Sequence, residues 1–181
     1  ERSYHEESRV SLKLGNAVRP VDPLVLNFTG TAAQLTDQRF SFDLDSDGKS
    51  DQINGLKGGS GFLVFDRNND GKINNGREMF GPTSGNGFSE LSELDDDHNG
   101  WIDENDSAYN KLKIWQGAEN GSGQLHSLAD AGIGTISISH IATPFDIKTN
   151  DNALMAQVRG SGIFLQHDGE AGTIQQIDLT V

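Results

Sequence analysis

Cysteine is absent from these 181 residues, which excludes disulfides and thiolate metal sites as a source of stability. Apolar residues are scarce as well, at 34% of the chain, while glycine numbers 22. A chain this lean has little apolar surface to set against conformational entropy, so a further stabilising agent is expected. Basic residues number 14 against 27 acidic ones, for a formal net charge of -13. That balance excludes a nucleic-acid partner, whose phosphates need clustered Lys and Arg, and makes bound cations the natural stabiliser. No apolar run approaches the roughly 18 to 20 residues of a membrane-spanning helix, so no membrane span is expected. The opening residues Glu1 to His5 show neither an initiating Met nor a signal-peptide apolar region, and the chain reads as an excised piece of a longer protein.

What is present divides into a polar N-terminal extension, residues 1–21, and a main domain over 22–181. Within the extension, Val10 to Leu14 alternates as a strand does. Pro20 and Pro23 bracket an extended stretch, and Leu24-Val25-Leu26 follows as a short buried strand. Further strands are expected over Arg39 to Phe42, Gly61 to Phe65, Gly134 to Ile141, Leu154 to Arg159, Gly162 to Gln166 and Thr173 to Val181. The turn residues His167-Asp168-Gly169 join the last two as an antiparallel hairpin. In the middle, Phe88, Leu91 and Leu94 recur at helical spacing, and Ala108, Leu112 and Trp115 do so again.

Three acidic segments share one grammar. In the segment beginning at Asp95, oxygen-bearing side chains fall at positions 1, 3, 5, 9 and 12, namely Asp95, Asp97, Asn99, Asp103 and Asp106, with Gly100 at position 6. Calcium takes six to eight oxygens, so alternate residues must turn inward, position 7 (Trp101) gives its carbonyl, and glycine permits the sharp turn. Ile102 at position 8 is the residue such a loop turns toward the core. Flanked by two helical patterns, this segment predicts an EF-hand-like helix-loop-helix with Asp where a bidentate Glu is usual. A second segment supplies Asp66, Asn68, Asp70, the Lys72 carbonyl and Asn74; Arg77 occupies position 12, so Glu78 is expected to close a shell one residue longer. A strand, not a helix, leads into it. A third supplies Asp43, Asp45, Asp47, the Lys49 carbonyl and Asp51, with only Asn54 at position 12. The rival for each is a solvated turn, since Asp, Asn, Ser and Gly are ordinary turn formers. The five histidines have no zinc spacing, Gly58 to Gly61 matches neither a nucleophile elbow nor a phosphate loop, and Trp101 and Trp115 read as core residues.

The run from Asp22-Pro23 through the loops at Asp43 and Asp66 to Arg77-Glu78-Met79-Phe80-Gly81, together with Gly87-Phe88 through Trp115-Gln116, resembles the calcium-binding modules of large bacterial secreted proteins of the RTX and hemolysin-type class, including the self-processing modules of iron-regulated RTX proteins. The resemblance covers residues 22–181, is strongest from Asp43 to Trp115, and implies an extracellular or cell-surface address. In self-processing modules calcium triggers cleavage of an Asp-Pro bond, and the new carboxyl end can join a lysine amine; the matching bond is Asp22-Pro23. The sequence departs from that pattern at Asn27 to Gly30 and at Gly117 to Leu125, where acidic loops are missing, so Asp22-Pro23 reads first as the start of a strand.

The sequence therefore predicts an α+β domain, β-rich with antiparallel strands and hairpins at both ends, a central EF-hand-like unit, and further Asp-rich loops. It is expected to hold two or three Ca²⁺ ions as a non-catalytic module. The alternatives are autoprocessing through Asp22 and Pro23, and a calcium-shaped adhesion or glycan-binding surface, which calls for exposed aromatics beside a calcium loop. A protein or glycan partner is not specified.

Overall fold

A computed structural model describes residues 21–116 and 122–181. The strand expected over Val10 to Leu14, the rest of the extension up to residue 20, and the acid-poor stretch at Gly117 to Gly121 lie outside them. Among the described residues, eleven strands account for most of the regular structure: β1 (Leu24–Asn27), β2 (Leu35–Phe42), β3 (Asp51–Leu56), β4 (Ser60–Phe65), β5 (Trp101–Ile102), β6 (Leu112–Gln116), β7 (Gln124–Ser127), β8 (Ile133–Ser137), β9 (Ile141–Lys148), β10 (Leu154–Gln166) and β11 (Ala171–Leu179). One sheet runs β5-β8-β10-β11-β1-β4-β6-β7, with β9 added beside β10, and β2 and β3 form a separate hairpin.

The centre of the large sheet is buried on both faces, and that is why β1 and β4 read as unbroken apolar runs. On one face Val25, Phe62, Val64, Trp115 and Ile177 meet Phe40, Phe42, Leu44, Ile53 and Leu56 of the hairpin segment. On the other, Leu24, Leu26, Leu63, Leu112, Ile114 and Ile174 meet Phe80, Phe88, Leu91, Ile133 and Ile136. Because β6 and β8 lie far apart in strand order yet share this second cluster, the sheet curls into a half-barrel around it.

The expected α+β fold with a central EF-hand is overturned. The one α-helix among the described residues is α1 (Gly87–Ser92), capped by the Asn86 side chain, which accepts from Ser89 N. It carries Phe88 and Leu91 into the core, as their spacing predicts. Among the described residues, no second helix follows the Asp95 loop. Ala108 closes only a turn, with Lys111 N and Leu112 N both donating to its carbonyl, and Leu112 to Gln116 run extended as β6 between β4 and β7. The spacing of Ala108, Leu112 and Trp115 fits a helix, but Leu112 and Ile114 serve one face of the sheet and Trp115 the other, so alternation and tertiary pairing prevail. The two strands expected over Leu154 to Gln166 form the single strand β10, whose register slips at Arg159. The predicted C-terminal hairpin forms, with Gly169 at φ +90 in its turn.

Candidate functional site

Three loops of one geometry stand at the margins of the two apolar clusters: loop A (43–51) at the tip of the β2–β3 hairpin, loop B (66–78) after β4, and loop C (95–106) after α1, with the short strand β5 inside it. In each, the residues at positions 4 and 6 have left-handed backbone: Ser46 and Gly48, Asn69 and Gly71, His98 and Gly100. These alternating twists turn side chains 1, 3 and 5 to one side. The first carboxylate of every loop accepts from the N–H of the glycine: Asp43 from Gly48 at 3.2 Å, Asp66 from Gly71 at 2.8 Å, Asp95 from Gly100 at 3.0 Å. The fifth residue accepts from the seventh in the same way: Asp47 from Lys49 N, Asp70 from Lys72 N, Asn99 from Trp101 N.

Closure differs from loop to loop. In loop C the carboxylates of Asp95, Asp97 and Asp106 converge within 4.8 Å of one another, with Asp95 and Asp106 buried. Asp106 is fixed by N–H groups of Asp96 at 2.7 Å and Asp103 at 2.8 Å, and Asp103 is tied to the Asn99 amide at 3.2 Å. Ile102 turns into the core, fully buried. In loop B, Glu78 is buried and accepts from Asn74 N at 2.7 Å, while Arg77 is exposed; Asp70 also receives the Asn74 and Asn68 amides. In loop A, Asp43, Asp45 and Asp47 converge within 4.8 Å, whereas Asp51 turns back to accept from Leu44 N at 3.2 Å. Asp43 Oδ1 is shut off from solvent without a hydrogen-bond partner. Such an orphaned carboxyl oxygen, in a set of hard oxygen donors, fits a hard cation of the calcium class. The donated hydrogen bonds also hold several of these groups ionised. Those from Lys49 pull Asp47 below the usual carboxylate range, the Asn74 side chain does so for Asp70, and Asn105 N–H does so for Asp103.

Loops A and B are one assembly. Asp43 bridges Asn75, Gly76 N donates to Asp43 O at 2.9 Å, and Ser46 Oγ lies between Asn75 Oδ1 and Arg77 N. Glycine lets the loops approach this closely, since a Cβ at residue 76 would come within 1.8 Å of Leu44 O and force that carbonyl aside. Asn75 escaped the sequence reading because it lies between recognised positions of loop B and acts on a different loop.

Asp22 occupies a second place of interest. It is only 4% exposed, Oδ2 accepts from Gln176 Nε2 at 3.2 Å, and Oδ1 is closed from solvent with no partner. Burial, with Asp178 nearby, pushes its carboxyl above the usual range, while the Gln176 hydrogen bond and Arg159 pull the other way. Pro23 is pinned by Ile177 N, which donates to its carbonyl at 3.1 Å. Gln176 was missed by the sequence reading; the available signal was a pair of amides, Gln175-Gln176, interrupting an apolar strand. Trp101 is half-buried and lines an open apolar groove with Ile141 and Ile163.

Fold and site together define a curled β-sheet domain bearing three Asx-turned acidic loops. The SPM domain model matches residues 24–180, and the chain belongs to that family. Asp22 and Pro23 stand immediately before the matched residues. The chain is also similar to the iron-regulated protein FrpA of Neisseria meningitidis serogroup C, at 27% identity over 135 residues, covering 66% of this chain and 12% of that protein. The chain thus spans about an eighth of that relative's length. No helix among the described residues is long and apolar enough to cross a membrane.

Proposed function

We propose that this chain is a calcium-binding domain of a larger bacterial protein, in which Ca²⁺ held by loops A, B and C completes the fold. The observation that carries it is the shared loop geometry: left-handed backbone at positions 4 and 6 and the same amide-to-carboxylate bonds, three times over in unrelated flanks. The residues proposed to hold the ions are Asp43, Asp45, Asp47, Asp51 and the Lys49 carbonyl; Asp66, Asn68, Asp70, Asn74, Glu78 and the Lys72 carbonyl; and Asp95, Asp97, Asn99, Asp103, Asp106 and the Trp101 carbonyl. Similarity to the RTX-type class supports a secreted or surface address. Calorimetric titration of the chelator-treated domain tests the reading; two or three Ca²⁺ per chain are expected, and no heat up to millimolar calcium overturns it.

A second reading is favoured by Asp22. A buried carboxyl with one unpartnered oxygen beside a proline is the arrangement that self-cleavage of Asp22-Pro23 needs, and self-processing modules, which the sequence resembles, carry out that reaction when calcium binds. Intact mass after calcium addition decides it. A fragment beginning at Pro23, lost on Asp22→Asn, supports the reading; an unchanged mass under saturating calcium removes it.

A further inference from the structure

We propose that Gln176 is the positioning residue for self-cleavage at Asp22-Pro23, holding Asp22 Oδ2 so that Oδ1 is the oxygen left to attack. The inference rests on the self-cleavage reading above and adds to it a residue outside the Asp-Pro pair and outside the acidic loops.

The register of the sheet puts Gln176 there. Leu24 on β1 pairs with Gln176 on β11, so the two side chains share a face, and Asp22, two residues before Leu24, lies on that same face within diagonal reach. The amide is held from both ends. Gly87 N, at the start of α1, donates to Gln176 Oε1 at 3.1 Å, and this assigns the other end of the amide as the donor. Nε2 then spends its two hydrogens on Asp22 Oδ2 and Gly85 O, each at 3.2 Å. Gln176 is 8% exposed and stands at the edge of a small pocket lined also by Asn86, His140 and Arg159. The extra residue of the β10 bulge, Arg159, falls beside this point, between the pairs Val158–Ile177 and Gly160–Gln176; bulges commonly re-aim side chains at functional sites.

The scissile peptide is confined on the same terms. Leu24 N donates to Phe80 O at 3.2 Å, and the left-handed Gly81, at φ +108, passes so close that a Cβ there would come within 1.9 Å of Asp22 O. Glu90 fixes that strap by accepting from Gly81 N and Ser84 N.

With Oδ2 held, Oδ1 adds to the carbonyl carbon of Asp22 itself and closes a five-membered anhydride ring. The bond from that carbon to the Pro23 nitrogen breaks, its electron pair goes to nitrogen, and the carboxyl proton follows to give a secondary amine. Water then opens the anhydride to two carboxyl groups. No oxidant or cofactor is consumed. Positioning of this kind removes rotational freedom before the barrier is climbed. The charged groups around Asp22 are Asp178 and Arg159, paired with each other at 2.6 Å on the neighbouring strands, and Glu90 behind the Gly81 strap.

The experiment uses the whole 181-residue chain. Cleavage is followed by intact mass in saturating Ca²⁺ across pH, for the parent, Gln176→Ala and Gln176→Glu. The glutamate variant keeps the size and the acceptor for Gly87 N–H, and so fills the space that alanine leaves empty while removing the donor to Asp22. Both variants are expected to cleave at least tenfold more slowly at their optimum while binding the same number of calcium ions. The limb of the pH profile belonging to Asp22 is expected to move to higher pH, because the donor that favours its ionised form is gone. Parent-like rates, or slowing without movement of the profile, overturn the role of Gln176 while leaving self-cleavage standing. A parent that does not cleave at any pH overturns both.

Discussion

At the scale of single residues, the left-handed positions carry the argument for cation binding. Gly48, Gly71 and Gly100 have open space where a Cβ would go, so alanine there meets no clash, only the backbone penalty of an L residue at positive φ. That penalty is roughly 1–2 kcal/mol, or about tenfold in affinity if calcium binding must hold the loop in this shape. Gly71→Ala and Gly100→Ala are each expected to weaken their own site by about that factor in calorimetric titration and to leave the others alone. Asp95 and Asp97 differ, because they supply charge: replacing both with Ala is expected to abolish the tightest site, loop C having three converging carboxylates, two of them buried. Unchanged site number and strongest affinity would show the ranking of loops to be wrong. Asp22 makes the opposite contribution to stability. Its pKa is raised in the folded state, so the native protein binds the proton more tightly than the unfolded chain, and stability from this group is present at low pH and lost as pH rises through the folded value. Asp22→Asn is therefore expected to melt higher than the uncleaved parent at neutral pH in saturating calcium, with the gap closing as pH falls toward the ordinary carboxylate range. These positions were legible in the sequence because each loop keeps its chemistry within a dozen residues. Gln176 was not, since its partner lies 154 residues away and only the β1–β11 register joins them.

At the scale of elements, the sequence told most about strands that are buried on both sides and least about those whose neighbours decide their fate. Leu24 to Leu26 and Gly61 to Phe65 announce themselves as apolar runs. Leu112 to Gln116 does not, because its apolar residues fit a helix until β4 and β7 are there to pair with it. Nor does Ile141 to Lys148, where Pro144 argues against a strand; β9 lies at an edge, and the register jumps from Phe145–Val158 to Ala142–Gly160, so the proline sits in a bulge that needs no N–H. The joint between loops A and B is likewise an inter-element fact. Gly76→Ala must push the Leu44 carbonyl aside, a distortion of the kind that costs about 1–3 kcal/mol. Because Ser46 of loop A bonds both Asn75 and Arg77 of loop B, this one substitution is expected to weaken calcium binding at both A and B while loop C keeps its affinity. Titration resolving the sites checks it, and an effect confined to loop B would show the loops to be independent.

For the molecule as a whole, the position of the loops decides what a bound calcium ion would do. Loop A ends the hairpin that brings Phe40, Phe42 and Leu44 onto Trp115, and loop B runs from β4 to Met79 of the same cluster. Loop C joins Phe88 and Leu91 of α1 to Ile102 of β5 in the other cluster. Each half of the core is thus sealed by acidic loops whose carboxylates repel one another more in the folded chain than in the unfolded one. Without cations that repulsion opposes closure, and a chain with 34% apolar residues has little to set against it. An ion bound only by the native state adds RT ln(1 + [L]/Kd), about 2.7 kcal/mol per site at a hundredfold excess over Kd, set against total stabilities of about 5–15 kcal/mol. Two or three sites are enough to decide whether the domain closes. The metal-free chain is therefore expected to keep strand content but lose the fixed environment of Trp115, which stands among Phe40, Phe42 and Phe62 at centroid distances of 6.0, 5.5 and 5.9 Å. Near-ultraviolet circular dichroism reports that environment, and melting in chelator, in calcium and in magnesium reports cooperativity. Magnesium is expected to substitute poorly, since it demands a tight octahedral shell and sheds water reluctantly, whereas these loops offer many oxygens in a wider cage. Equally sharp melts and equal aromatic signals in all three would mean that the two apolar clusters hold the half-barrel closed by themselves.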